Sequence, residues 1–367
     1  MKMRFGNGSR TAQHFVRVWS TNFSRCLLVA AVLASALALT QTFGAKGQNA
    51  LPTSGVTIVL PPRVMAGHPG TLAVLGADGK LVSGVNVDVG NGQIVTTDRT
   101  GRALFDVPTT GDYVLARSSN ASAVALVDPA VAASEPSAAV LPPVVSIHDR
   151  FWICAASLRG DADSNEVRID SRLALVMAAS PICLVALSPL DAKPGPAALS
   201  IAAPGVQLSA ATVLVSLEFE PPKPALKPNE KGQLELTVQG SDWKLRVAVQ
   251  NETPDVLKFV RGDLQEITTS GRSPNVAAIQ VQAITSGNFS FEARLVQNPD
   301  PSSGERYLRA AAALAPNELR REISKLASRL ARHPRDAEKV RIELNRLTPV
   351  AGADDFRTLL DAARAAL

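Results

Sequence analysis

Thr97-Asp98-Arg99-Thr100-Gly101-Arg102-Ala103-Leu104-Phe105 is the stretch that decides the fold. Its first half reads as a turn and its second half as a strand. Asp98 is placed to cap the turn, and Gly101 is the residue that takes a positive φ without steric cost. Ala103 and Phe105 then share one face of the strand, because side chains alternate with a period of two, and that face is the core face.

The same grammar extends upstream and downstream. Val56-Thr-Ile-Val-Leu60 is followed by Pro61-Pro62, and Thr71-Leu-Ala-Val-Leu75 by Asp78-Gly79. Val85, Val87 and Val89 alternate with Asn86 and Asp88, the pattern of a half-buried strand. Asn91-Gly92 is a hairpin dipeptide. Ile94 to Thr97 and Tyr113 to Ala116 complete the set. Strands at roughly ten-residue spacing, punctuated by Gly, Pro and Asn, predict a β-sandwich.

Thr97 to Phe105 fits T-D-x-x-G-x-A-x-F, and with Ala77-Asp-Gly-Lys80 and Val85-x-Val87-x-Val89 it resembles the bacterial Ig-like domains of invasin type. The resemblance covers about 55–127, within a first module taken as 51–127. It implies an Ig-like sandwich and leaves the ligand open.

Residues 128–142 are rich in Ala, Ser and Pro and read as a linker. A second β module follows at 143–218, with strands expected at Phe151–Cys154, Glu166–Ile169, Ala174–Met177, Cys183–Leu187 and Ala198–Ile201. Asn165-Glu166-Val167 and Pro194-Gly195-Pro196 resemble the IPT/TIG type of Ig-like domain across about 140–217. The opening strand departs from that pattern, with Ile153-Cys-Ala-Ala-Ser-Leu158 where the family has I-x-G-x-G-F. Pro221-Pro-Lys-Pro224 and Lys227-Pro228 mark a stiff Pro-rich connector at 219–230. A third β module spans 231–298, with Gln233–Val238 and Lys244–Val249 alternating cleanly. From Ser302 the period changes to 3.6. Leu319, Ile323, Leu326 and Leu330 stripe one helix, and Phe356, Leu359, Leu360 and Ala363 another, giving an α-helical tail at 303–367. The fold class is mostly β: tandem Ig-like sandwiches plus a C-terminal helical segment.

Composition agrees. The chain has 367 residues, a prior of two or three domains at about 150 residues each. Apolar residues are 46% and aromatics 4%, so the cores are aliphatic. Residues 1–45 carry Lys2, Arg4, Arg10, Arg17 and Arg25 and no acidic residue. A 14-residue apolar run, Cys26 to Leu39, follows, with the small-x-small site Ala36-Leu37-Ala38. This reads as a signal peptide, its run short of the roughly 20 residues of a spanning helix. An uncleaved anchor is the alternative, and contact with a membrane follows only then. Beyond residue 45 the chain has 33 basic and 33 acidic residues. The pI near 9.3 therefore belongs to the leader, and nucleic acid is excluded as a partner.

Cys154 and Cys183 are an even pair in an exported chain, either a disulfide or two buried thiols. Asp161, Asp163 and Asn165 have the spacing of half a calcium loop, but Glu166 and Arg172 stand where an EF-hand needs Gly and Glu. A polar turn is the stronger reading, and a weak calcium site the lesser. His68, His148 and His333 fall in different modules, and no zinc spacing, nucleophile elbow or phosphate loop occurs. Trp152 and Trp243 fall inside strand patterns and are read as core. Arg321, Lys325, Arg329 and Arg332 form a basic stripe opposite the apolar face of their helix, a docking face for an acidic partner or a solvated face. The expectation is a non-enzymatic, cofactor-free protein of the cell envelope or extracellular space that binds protein or glycan. The alternative is an accessory scaffold that assists an enzyme in trans.

Overall fold

The computed structural model describes residues 2–4, 55–119, 121–130, 139–220, 222, 226–251, 253–260, 264–296, 301–347 and 354–367. Apart from Lys2–Arg4, a short strand (β1), the expected leader at 1–45 lies outside the described residues. Most of the linker reading, 131–138, does too. The fold is mostly β, built as tandem Ig-like sandwiches with a C-terminal helical segment.

In the first sandwich, β2 (Thr57–Val59), β4 (Pro69–Leu75) and β7 (Arg102–Asp106) form one sheet. The other has the order β3 (Arg63–Met65), β9 (Ala121–Asp128), β8 (Tyr113–Ser118), β5 (Asn86–Asp88), β6 (Ile94–Thr96). The turn ahead of β7 is built as its residues require. Asp98 Oδ1 accepts from Thr100 N at 2.7 Å. Gly101 has φ +74°, and a Cβ there would lie 2.7 Å from Val82 N. Ala103 and Phe105 are buried in the same core as Val74, Val87 and Val114.

The second sandwich pairs β11 (Arg150–Cys154) with β14 (Cys183–Leu187), and β14 with β13 (Arg172–Ala179). Opposite lie β12 (Glu166–Ile169), β15 (Gly195–Ala203) and β16 (Val206–Glu220), with β10 (Val144–Ser146) parallel to β16. The third module has β16, β17 (Lys231–Gln239), β21 (Asn275–Ala283) and β19 (Leu257–Phe259) in order, and β18 (Arg246–Asn251) between β20 (Leu264–Thr268) and β22 (Ser290–Leu295).

Strand β16 serves two sandwiches. Residues 206–214 pair with β15, and residues 216–220 with β17. Leu214 is buried in the second core, and Val215, Leu217 and Phe219 are buried in the third. The sequence reading closes its second module at 218 and opens a connector at 219. The strand runs through that point because apolar alternation continues to Phe219, and it ends where Pro221 removes a donor.

The first two sandwiches are joined through β4 and β13. Thr71 pairs with Ala179, and Thr71 Oγ1 donates to Gly160 O at 2.6 Å. Val59, Ala73 and Leu75 pack on Met177, Ala178 and Val185. Gly160 passes so close to β4 that a Cβ there would fall 2.0 Å from Pro69 O.

Among the described residues, four helices make the tail: α1 (Pro301–Leu314), α2 (Asn317–Arg332), α3 (Ala337–Leu347) and α4 (Asp354–Ala365). Ile323, Leu326 and Leu330 are buried together with Phe356, Leu359, Leu360 and Ala363, as the 3.6 period requires. Leu126 of β9 belongs to this same core, with Tyr113 and Val124 packed on it. The tail thus returns to the first sandwich. It also touches the third module, where Arg341 pairs with Glu266 of β20.

Candidate functional site

Because the tail returns to the first sandwich, all four parts of the chain border one central cavity of about 840 Å³. That volume suits a small ligand or a segment of a polymer, since such sites run to roughly 300–1,000 Å³. Its walls are mostly β-strand and helix, which hold their groups rigidly.

The polar lining consists mainly of guanidinium and carboxylate groups held as pairs. Arg63 of β3 donates from Nε to Asp128 at 2.7 Å. Arg294 of β22 donates from Nε to Glu292 at 3.0 Å. Arg364 of α4 lies 3.2 Å from Asp361. Glu266 takes Arg246 at 2.9 Å and Arg341 from the tail. Burial, followed by the neighbouring charge of Arg294, holds the Arg150 guanidinium below its ordinary value. Burial raises the Glu292 carboxyl, but the surrounding positive charge, that of Arg294 foremost, together with the Arg294 hydrogen bond, outweighs it and leaves Glu292 below its usual range. Glu292 is therefore an ionised acceptor and a poor proton donor. Burial, Arg246 and Arg364 bring Arg341 down to about 10.

Three aromatic residues, Phe151, Trp152 and Tyr307, complete the lining. Tyr307 of α1 is buried, and its hydroxyl donates to Pro62 O at 3.2 Å. Trp152 of β11 is half-buried and opposite Val185 in register. Cys154, two residues on, also borders the cavity and is bonded to Cys183, its cross-strand partner, with Cα atoms 4.0 Å apart.

Other residues singled out in the sequence are placed elsewhere. Asp161 caps a 3₁₀ turn at Ala162–Ser164, Asn165 donates to Arg159 O and Asp161 O, and Asp163 pairs with Arg102 at 2.7 Å. Their oxygens are spent on the turn and the sandwich junction, and the described residues hold no cluster of three or more His, Cys, Asp or Glu fit for a metal. His68, His148 and His333 lie in the first sandwich, the second sandwich and the end of α2. Of the basic stripe, Arg321, Lys325 and Arg332 are exposed. Arg329 is turned inward, to Asp336 at 3.1 Å and Glu343 at 2.8 Å. Trp243 corrects the core reading: it sits in the loop between β17 and β18 and is 53% exposed. No described helix is long and apolar enough to cross a membrane.

No protein-family model matches the chain, and no curated protein matches it. Among solved structures it is similar to SGBP-B of the Bacteroides ovatus mixed-linkage glucan utilization locus, in complex with a mixed-linkage heptasaccharide, at 8% identity and a TM-score of 0.24 over 63% of this chain and 73% of that one. It is similar to a structure with xylogluco-oligosaccharide at 10% identity and a TM-score of 0.24, over 67% and 80%. The N-terminal four Ig domains of Dscam1 isoform 4.44 match at 11% identity and a TM-score of 0.21, over 63% and 73%. Likenesses this distant carry no argument about what the cavity holds.

Proposed function

We propose that this chain is a non-catalytic binding protein of the cell envelope or extracellular space, and that it holds a glycan in the central cavity. The observation that carries the reading is the cavity lining itself: the half-buried Trp152 beside guanidinium–carboxylate pairs. Each pair offers fixed donors and fixed acceptors with little net charge. A sugar hydroxyl needs both, and an aromatic face covers the C–H face of a sugar ring. The pairs are already formed, so binding costs little side-chain ordering. Export is the expectation from the leader and the cysteine pair.

The test is isothermal titration of the purified chain with linear oligosaccharides of the cello-, chito-, xylo- and malto- series, with product analysis after prolonged incubation. Saturable binding that Trp152→Ala weakens, with the sugar recovered intact, is the expected result. No binding by any series overturns the glycan reading, and recovery of shortened sugars overturns the non-catalytic one.

A further inference from the structure

A smaller cleft of about 280 Å³ opens beside the central cavity, between the second and third modules. Val140, Trp152, Leu295 and Val296 border both spaces. Trp152 is thus a common wall, and Trp243, Lys244 and Arg246 also line the cleft.

The loop that carries Trp243 is held from beneath. Asn275 is 2% exposed and donates its amide hydrogens to Ser241 O at 2.9 Å and Trp243 O at 2.8 Å. Its Oδ1 accepts from Gly271 N at 2.8 Å. Thr269, also buried, accepts from Leu245 N at 3.0 Å. Ser241 Oγ accepts from Trp243 N at 3.1 Å. Both sides of Trp243 are fixed by buried polar groups while its ring stays in solvent. Folding gains from burying such a ring, and this one lines the cleft instead. It suits stacking, which gains from a ring already in place.

We propose that the Trp152–Trp243 cleft is a second subsite, and that the ligand is a linear glycan long enough to run from the central cavity across Trp152 to a ring stacked on Trp243. This rests on the glycan reading of the cavity and adds to it the length and direction of the chain. The shared wall gives continuity. The apolar lining from Val140, Pro142 and Pro143, with Lys244 beside it, suits a ring with apolar faces and hydroxyl edges.

The test compares oligosaccharides of two and six units of the series that binds, by titration against the unaltered chain, Trp243→Ala and Trp243→Phe. The six-unit chain is expected to bind the unaltered protein about tenfold tighter than the two-unit chain. Trp243→Ala should erase that difference and leave two-unit affinity unchanged, while Trp243→Phe keeps most of it. The Trp243 main chain keeps its hydrogen bonds in both variants, so the melting temperature should hold. Equal affinities at both lengths, or a length preference that survives Trp243→Ala, overturn the subsite and leave the cavity reading standing. Absence of binding at either length overturns the reading beneath it. Binding of a proline-rich peptide at Trp243 with no sugar binding gives the cleft to a protein ligand and overturns the proposal.

Discussion

Arg306 of the first tail helix places Nη1 2.5 Å from Oδ1 of Asp128, at the end of strand β9. Arg63 holds the other oxygen of the same carboxylate at 2.7 Å from Nε, and Arg306 Nη2 also donates to Val127 O at 2.6 Å. The carboxylate is only 10% exposed, so it is the keystone between the first sandwich and the tail. Removing it leaves two guanidinium groups facing each other beside the cavity. Asp128→Ala should cost about 3 kcal/mol in urea unfolding. Arg306→Ala, which leaves Asp128 with Arg63, should cost less, about 2 kcal/mol. Equal and negligible losses in both would show that the tail is held by its apolar core alone.

Gly160 is the corresponding point between the first two sandwiches. A Cβ would sit 2.0 Å from Pro69 O, and Thr71 Oγ1 donates to Gly160 O from the same strand. The obstacle is main chain, so no side-chain rotation relieves it. Gly160→Ala should destabilise by about 3 kcal/mol and loosen the junction. Faster amide exchange along β4 and β13, read by mass spectrometry, is the specific outcome. Protection unchanged in both strands would count against a rigid junction.

Cys154 and Cys183 face each other across β11 and β14, 29 residues apart in sequence. Closing a loop of that length limits the unfolded chain and contributes about 3 kcal/mol. Thermal melting with and without reductant should show the loss, and Cys154→Ala with Cys183→Ala should melt like the reduced chain and ignore reductant. Cys154 also borders the cavity, so the same pair of samples reports whether the ligand senses the bond.

Local features were legible in the sequence because they depend on neighbours. Asp98, Gly101, Ala103 and Phe105 form a turn and a strand from nine residues, and the stripes of α2 and α4 follow from a 3.6 period. The cavity was not legible, because it exists only once the tail has returned. Arg306 and Asp128 are 178 residues apart, and nothing local in either marks the other. Trp243 was misread for a related reason. Its flanks alternate like a strand, but Asn275, 32 residues on, captures its carbonyl and holds the loop outside the sheet. Arg329 left the basic stripe because Asp336 and Glu343 lie beyond the break at His333–Pro334. Strand β20 carries little local signal, because Leu264–Thr268 has weak alternation and is defined by pairing with β18.

Glu292 gives the pH dependence of the cavity. Its carboxyl sits below the ordinary range because the positive charge around it, Arg294 foremost, with the Arg294 hydrogen bond, outweighs its burial. A carboxyl lowered in the folded state binds protons less readily there than in the unfolded chain, whose value is about 4.3. Its contribution to stability is therefore complete above that value and is lost as pH falls through the lower, folded one. Unfolding free energy should hold from pH 7 down to about 5 as far as this group is concerned, then decline. Glu292→Gln keeps the shape and removes the titration. It should be less stable than the unaltered chain at pH 7, because Arg294 and Arg150 lose their shared counter-charge, and the gap should close as pH falls through the lowered, folded value. Urea unfolding of both proteins across that range checks it, and a gap that stays constant with pH would show that the Glu292 charge adds nothing to the fold.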